Sequence, residues 1–139
     1  MAQEPKIKIV AVDNDETILA MYEIGLSACG YDIKTFASPD AANKYFSTLK
    51  AGEAPNVILM DIIMTGMDGV SLMHEIHSMD NTARVPIIAV SGLTDSATLN
   101  DALLFGAMDY LVKPFDMETL KAKILAALDA SQKRIPKAN

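Results

Sequence analysis

Five short apolar runs recur along the chain, and between them the apolar residues switch to helical spacing. The runs are "KIKIVAV" (6–12), "YDIKTF" (31–36), "NVILM" (56–60), "VPIIAV" (85–90) and "DYLV" (109–112). They are too short for buried helices and most are rich in β-branched residues, so they read as strands. From Thr17 to Cys29 the residues Ile18, Leu19, Tyr22, Leu26 and Cys29 share a helical face, and Gly30 follows as a stop. Ser38 as N-cap and Pro39 at the first helical position start the second helix. Val70 to Met79 places Leu72, Met73 and Ile76 inward. Thr94 or Asp95 caps a fourth helix, which Gly106 ends. "DMETLKAKILAALDA" is amphipathic, with Leu120, Ile124, Leu125 and Leu128 on one face. The remaining "SQKRIPKAN" is polar and basic, a frayed end or the start of a linker. The expected layout is one domain over 1–130 and a tail over 131–139.

Strands that alternate with helices imply an α/β fold, a parallel sheet covered on both faces. Right-handed crossovers leave few arrangements, and the doubly wound five-stranded order 2-1-3-4-5 is the economical one. In that order a ligand site lies at the carboxyl ends of strands 1 and 3.

Composition narrows the function. Twelve basic against eighteen acidic residues give a net charge of −6, which argues against non-specific nucleic-acid binding. The single Cys29 allows no internal disulfide, fits a reducing cytoplasm and is expected to be a buried structural thiol. The N-terminal apolar run is far too short for a membrane span, so neither a membrane nor nucleic acid is expected as a partner. His74 and His77 sit on the third helix at a spacing that suits a metal, but they read as solvated helix residues.

The polar residues fall at strand ends. Asp13 and Asn14 end the first strand, Asp61 the third, Ser91 the fourth and Lys113 the fifth. With strands 1, 3, 4 and 5 adjacent, these side chains converge on one edge. Clustered carboxylates repel each other and call for a cation. Carboxylates with an amide oxygen suit a hard ion such as Mg²⁺. The ion and a lysine can neutralise phosphoryl oxygens, a serine hydroxyl can donate to another, and a carboxylate can attack phosphorus. No Gly-rich phosphate loop is present, so a nucleotide is not the expected donor.

Two families resemble parts of this pattern. "DNDET" (13–17) is similar to the nucleophile motif of haloacid-dehalogenase phosphohydrolases, which would make Asp13 the nucleophile and Asp15 the general acid/base. That family needs a later acidic pair, and none follows Lys113. The second resemblance covers Lys6 to about Leu128. "VDND", "ILMDIIMTGMDG", "PIIAVSG" and "GAMDYLVKPF", in this order, resemble the response-regulator receiver domains, the CheY-like phosphoacceptors of two-component signalling, with their flavodoxin-like fold. The resemblance implies that Asp61 accepts a phosphoryl group from a sensor histidine kinase or histidine phosphotransfer protein. It implies Mg²⁺ on Asp13, the Asn14 position, Asp61 and the Ile63 carbonyl, with Lys113 bridging toward the acyl phosphate. Ser91 and Tyr110 would be the switch residues, and the face of helix 4, strand 5 and helix 5 the surface for a downstream protein. Lys113–Pro114 would be cis. The chain would be a signalling switch and not a dedicated enzyme.

Departures from the family pattern are informative. Asn14 stands where a second acid is usual, keeping an oxygen but losing a charge, so weaker Mg²⁺ binding is expected. The same change raises a second reading, an interaction module that works without phosphorylation. Asp15 either compensates for Asn14 or simply starts helix 1. Thr65 replaces a frequent proline. Ile63 and Leu93 are apolar where the family influences the attacking water, so a long-lived phosphoryl group is expected.

Overall fold

A computed structural model describes residues 6–63, 69–92 and 96–134. Thr65, Leu93, the two candidate caps Thr94 and Asp95, and the last five tail residues lie outside that set. The elements run β1 (Lys8–Val12), α1 (Glu16–Ala28), β2 (Asp32–Phe36), α2 (Pro39–Ser47), β3 (Val57–Asp61), α3 (Gly69–Ser78), β4 (Ile87–Gly92), α4 (Ser96–Leu104), β5 (Asp109–Lys113) and α5 (Met117–Arg134). The sheet is parallel throughout, in the order β2-β1-β3-β4-β5. This is the order expected from the sequence.

Alternation along each strand sorts the apolar residues into two cores, one on each side of the sheet. Ile9, Ala11, Val57, Leu59, Ile88, Val90 and Leu111 pack with Leu19, Tyr22 and Leu26 of α1 and Leu120, Ile124 and Ala127 of α5. Val10, Val12, Ile58, Met60, Ile87 and Ala89 pack with Ala42 and Phe46 of α2, Leu72, Met73 and Ile76 of α3, and Ala102 of α4. Those three α3 side chains are fully buried, and each contributes roughly 1.5–3 kcal/mol. Truncating any one to alanine would open a cavity.

Local signals set the helix ends. Asp15 caps α1, its carboxylate accepting from the N–H groups of Thr17 and Ile18. Ser38 caps α2, with Pro39 in the first turn. Gly30 (φ 89°) and Gly106 (φ 126°) take the left-handed turns that follow α1 and α4.

Some expectations fail locally. Cys29 is exposed, because the C-cap of α1 already turns the chain away from the core. Leu125 is 59% exposed, beside the stripe of Leu120, Ile124 and Ala127. His77 is half-buried and not simply solvated: its Nε2 lies 3.1 Å from the Val85 carbonyl oxygen and its ring lies beside Gly106. His74 is exposed as expected. α5 continues to Arg134, four residues into the stretch read as a tail.

Candidate functional site

The carboxyl ends of β1, β3, β4 and β5 bring the polar residues together. Asp13 follows β1, and Asp61 ends β3. Both continue the strand parity of the α1/α5 core: Ile9, Ala11, Asp13 in one row and Val57, Leu59, Asp61 in the next. Lys113 shares that parity on β5, after Leu111. Ser91 has the opposite parity, after Ile87 and Ala89. The acids and lysine thus reach the edge from one side of the sheet, and the hydroxyl from the other.

Asp13, Asp61 and Ser91 are at most 4% exposed. The Lys113 ammonium lies 2.7 Å from Asp13 Oδ2 and 3.5 Å from Asp61 Oδ2. Asp13 Oδ1 accepts from the Asp15 N–H at 2.8 Å. Asp61 Oδ1 accepts from the Ile63 N–H at 3.2 Å. The Ser91 hydroxyl is buried with no hydrogen-bond partner. Asn14 is exposed at the rim, and Lys113–Pro114 is cis.

The charges explain the acidity of the site. Burial and the charge of Asp13 push the Asp61 carboxyl from 3.8 up to about 6, against the opposing pull of Lys113 and the Ile63 N–H. Burial alone would lower the Lys113 pKa. Its hydrogen bond to Asp13 and the charges of Asp61 and Asp13 outweigh that and raise it. One lysine therefore serves two buried carboxylates.

A hard divalent cation fits this arrangement. Two buried carboxylates share one ammonium, and Asp61 resists ionisation without further positive charge. Among the described residues no cluster of three or more His, Cys, Asp or Glu side chains is present. Two carboxylates completed by backbone and water oxygens would suit Mg²⁺ better than an ion needing several nitrogen or sulfur ligands. Asp15 is not part of the set, because its carboxylate is occupied at the α1 N-terminus.

Sequence reasoning gave no role to two residues that the fold places at the site. Gly69, the first residue of α3, lies so close to the Asp61 carbonyl oxygen and Ile62 Cα that a Cβ would overlap both. Its N–H donates to the Ile62 carbonyl at 3.1 Å. The glycine eight residues after Asp61 was the available signal. Tyr22 was read only as core. Its hydroxyl is buried without a partner, and its ring stacks on Phe115, just past the cis peptide bond. Burial raises its pKa first, and the charges of Asp13 and Asp61 raise it further. The phenol therefore lies within reach of the field of both acids.

Comparisons with known proteins agree with this geometry. The family model described as "Response regulator receiver domain" matches residues 9–125. The chain is 35% identical over 130 residues to a probable transcriptional regulator, ycf27, of Guillardia theta, covering 94% of this chain and 48% of that protein. It is 34% identical over 121 residues to the transcriptional regulatory protein PrrA of Mycobacterium tuberculosis, covering 87% and 49%. It thus spans about half the length of these relatives. The CheY-like receiver domain protein of Methanospirillum hungatei superposes with a TM-score of 0.83 at 26% identity, covering 94% of this chain and all of that one. NtrX of Brucella abortus gives 0.84 at 26% identity, covering 94% and 28%. With the fold, the clustered strand-end residues and the family match in agreement, the chain belongs to the response-regulator receiver domains of two-component signalling.

Proposed function

We propose that Asp61 is the phosphoacceptor of a phosphorelay. The observation that carries this reading is the placement of Asp61: buried at a strand end, one oxygen fixed by the Ile63 N–H and the other 3.5 Å from Lys113. An Asp61 oxygen attacks phosphorus of a phosphohistidine on a sensor kinase or phosphotransfer protein. The phosphorus–nitrogen bond breaks, the imidazole keeps the electron pair, and an acyl phosphate forms. Lys113 exchanges its contact with Asp13 for the new phosphoryl oxygens, and Ser91 donates its free hydroxyl to another. Asp13, Asp61, the Ile63 carbonyl and the Asn14 side would hold Mg²⁺, which when bound would supply further positive charge to the phosphoryl group.

The switch follows from the new charge. Ser91 moves toward the phosphoryl group, Tyr110 turns inward, and the surface of α4, β5 and α5 changes shape for a downstream protein. Leu104 (79%), Phe105 (58%) and Tyr110 (38%) are exposed there, an apolar patch suited to such a contact.

The phosphohydrolase reading loses its second residue, because Asp15 caps a helix and does not face Asp13 across a reacting group. The expectation of no nucleic-acid partner gains no support: the relatives are transcriptional regulators about twice as long as this chain. No helix among the described residues is long and apolar enough to cross a membrane. The deciding experiment is mass spectrometry after acetyl phosphate treatment with Mg²⁺. One phosphoryl group is expected on the wild type and none on Asp61→Asn. Loss of labelling in Asp13→Asn with Asp61 still unmodified in the wild type would overturn the assignment.

A further inference from the structure

Tyr110 leaves β5 on the same face of the sheet as Ser91, because Ala89 pairs with Tyr110 and Ser91 with Val112. That face carries α2, α3 and α4, and α5 lies on the other. Yet the Lys123 ammonium of α5 is 5.3 Å from the centroid of the Tyr110 ring. β5 is an edge strand, so the contact passes round the open edge of the sheet. It can be made only while the ring points outward. A ring turned in beside Ser91 would lie behind the strand, out of reach of Lys123.

Lys123 is itself held. Its Nζ is 2.9 Å from Asp109 Oδ1, and the same carboxylate oxygen accepts from the Tyr110 N–H at 2.8 Å. One carboxylate thus fixes both the backbone of the tyrosine and the cation on its ring. Tyr110, Val112, Pro114, Phe115, Thr119 and Lys123 line an open cleft of about 320 Å³ at this edge. A cation within about 6 Å of an aromatic face is attracted to it. On the inner side, the Ser91 hydroxyl has no partner that would have to be broken for the ring to arrive.

We propose that Lys123, oriented by Asp109, is a positioning residue that holds the Tyr110 ring outward and so opposes the phosphorylated state. This rests on the reading of Asp61 as phosphoacceptor and Tyr110 as its switch residue. Any ligand of Asp61 that favours the inward ring works against the Lys123 contact, and the coupling is reciprocal. Losing the contact should therefore tighten binding at Asp61.

The test is beryllofluoride binding with Mg²⁺ by titration calorimetry, together with the Tyr110 χ1 population from NMR couplings. Lys123→Met should bind roughly two- to fivefold more tightly than the wild type and show more inward ring without ligand. Lys123→Arg, which keeps the charge over the ring, should stay near the wild type. In a Tyr110→Ala background Lys123→Met should have no effect on affinity. An equal effect with and without Tyr110, or none in either, overturns the proposal. If the wild type binds no beryllofluoride, the phosphoacceptor reading fails. The positioning role then stands or falls on the χ1 population of the free Lys123→Met protein alone.

Discussion

The Lys113 ammonium sits 2.7 Å from Asp13 Oδ2, closer than to the acid proposed as its reaction partner. In the resting protein the lysine is a counter-ion for Asp13. The proposed move toward a phosphoryl group would therefore exchange one ion pair for another and leave no charge in isolation. Removing it leaves two buried carboxylates facing each other. Lys113→Met should lose about 2–4 kcal/mol of stability in EDTA, and Mg²⁺ should restore part of it. Urea denaturation with and without Mg²⁺ measures both; equal losses in the two conditions would contradict the shared site.

The Asp61 carboxyl gives a pH prediction for the metal-free protein. Its folded pKa is raised from 3.8 to about 6, so the folded state binds the proton more tightly than the unfolded chain. Its contribution to stability is fully present below about pH 4 and is lost as pH rises through about 6, up to roughly 3 kcal/mol. Asp61→Asn should flatten this part of the Tm profile between pH 4 and 7 in EDTA. It should also melt higher than the wild type at pH 7. Parallel profiles for the two proteins would show that Asp61 is not strained.

Asn14 sits at the exposed rim, where an extra carboxylate meets little desolvation cost. Asn14→Asp should tighten Mg²⁺ binding about tenfold. A titration followed by NMR shifts of the Asp61 and Ile63 amides would read this directly. Equal affinities would mean that position 14 does not face the ion.

Gly69 has no room for a side chain against the Asp61–Ile62 backbone. Gly69→Ala should cost about 1–3 kcal/mol and slow acetyl phosphate labelling of Asp61, since the backbone of the acceptor must shift. Thermal melts and a labelling time course check the two effects separately. Unchanged labelling in a destabilised variant would confine Gly69 to packing.

Ile63 is 54% exposed two residues after Asp61 and has no group on its side chain to orient water. The phosphoryl group should therefore persist well beyond seconds, and Ile63→Asn should shorten its half-life. Phosphoprotein decay after removal of the donor gives the rate. A wild-type half-life of seconds would sink this expectation.

Much of the site was legible because parallel strands buried on both faces read as apolar runs, and the first polar residue after each run marks the edge. Asp13, Asp61, Ser91 and Lys113 were found that way, and strand adjacency did the rest. Other features depend on contacts that spacing does not carry. Leu125 lies one step beyond a stripe whose width is set by neighbouring elements. His77 is drawn partly out of solvent by the Val85 carbonyl, eight residues away in sequence. The need for glycine at position 69 arises from how closely α3 approaches Asp61, a distance fixed only in the folded chain. The partner of Tyr110 comes from the opposite layer and could not be read from β5 alone.

The two cores are separated by the sheet, and among the described residues none belongs to both. Between them runs the sheet, hydrogen-bonded from β2 across to β5. At the rim the proposed reaction would touch groups rooted on both sides: Asp13, Asp61 and Lys113 on one, Ser91 on the other. A phosphoryl group added there would be a wedge at the margin of a partition. From there it would bear on the layers of both sides at once, on α4 through Ser91 and on α5 through β5 and its Asp109–Lys123 pair.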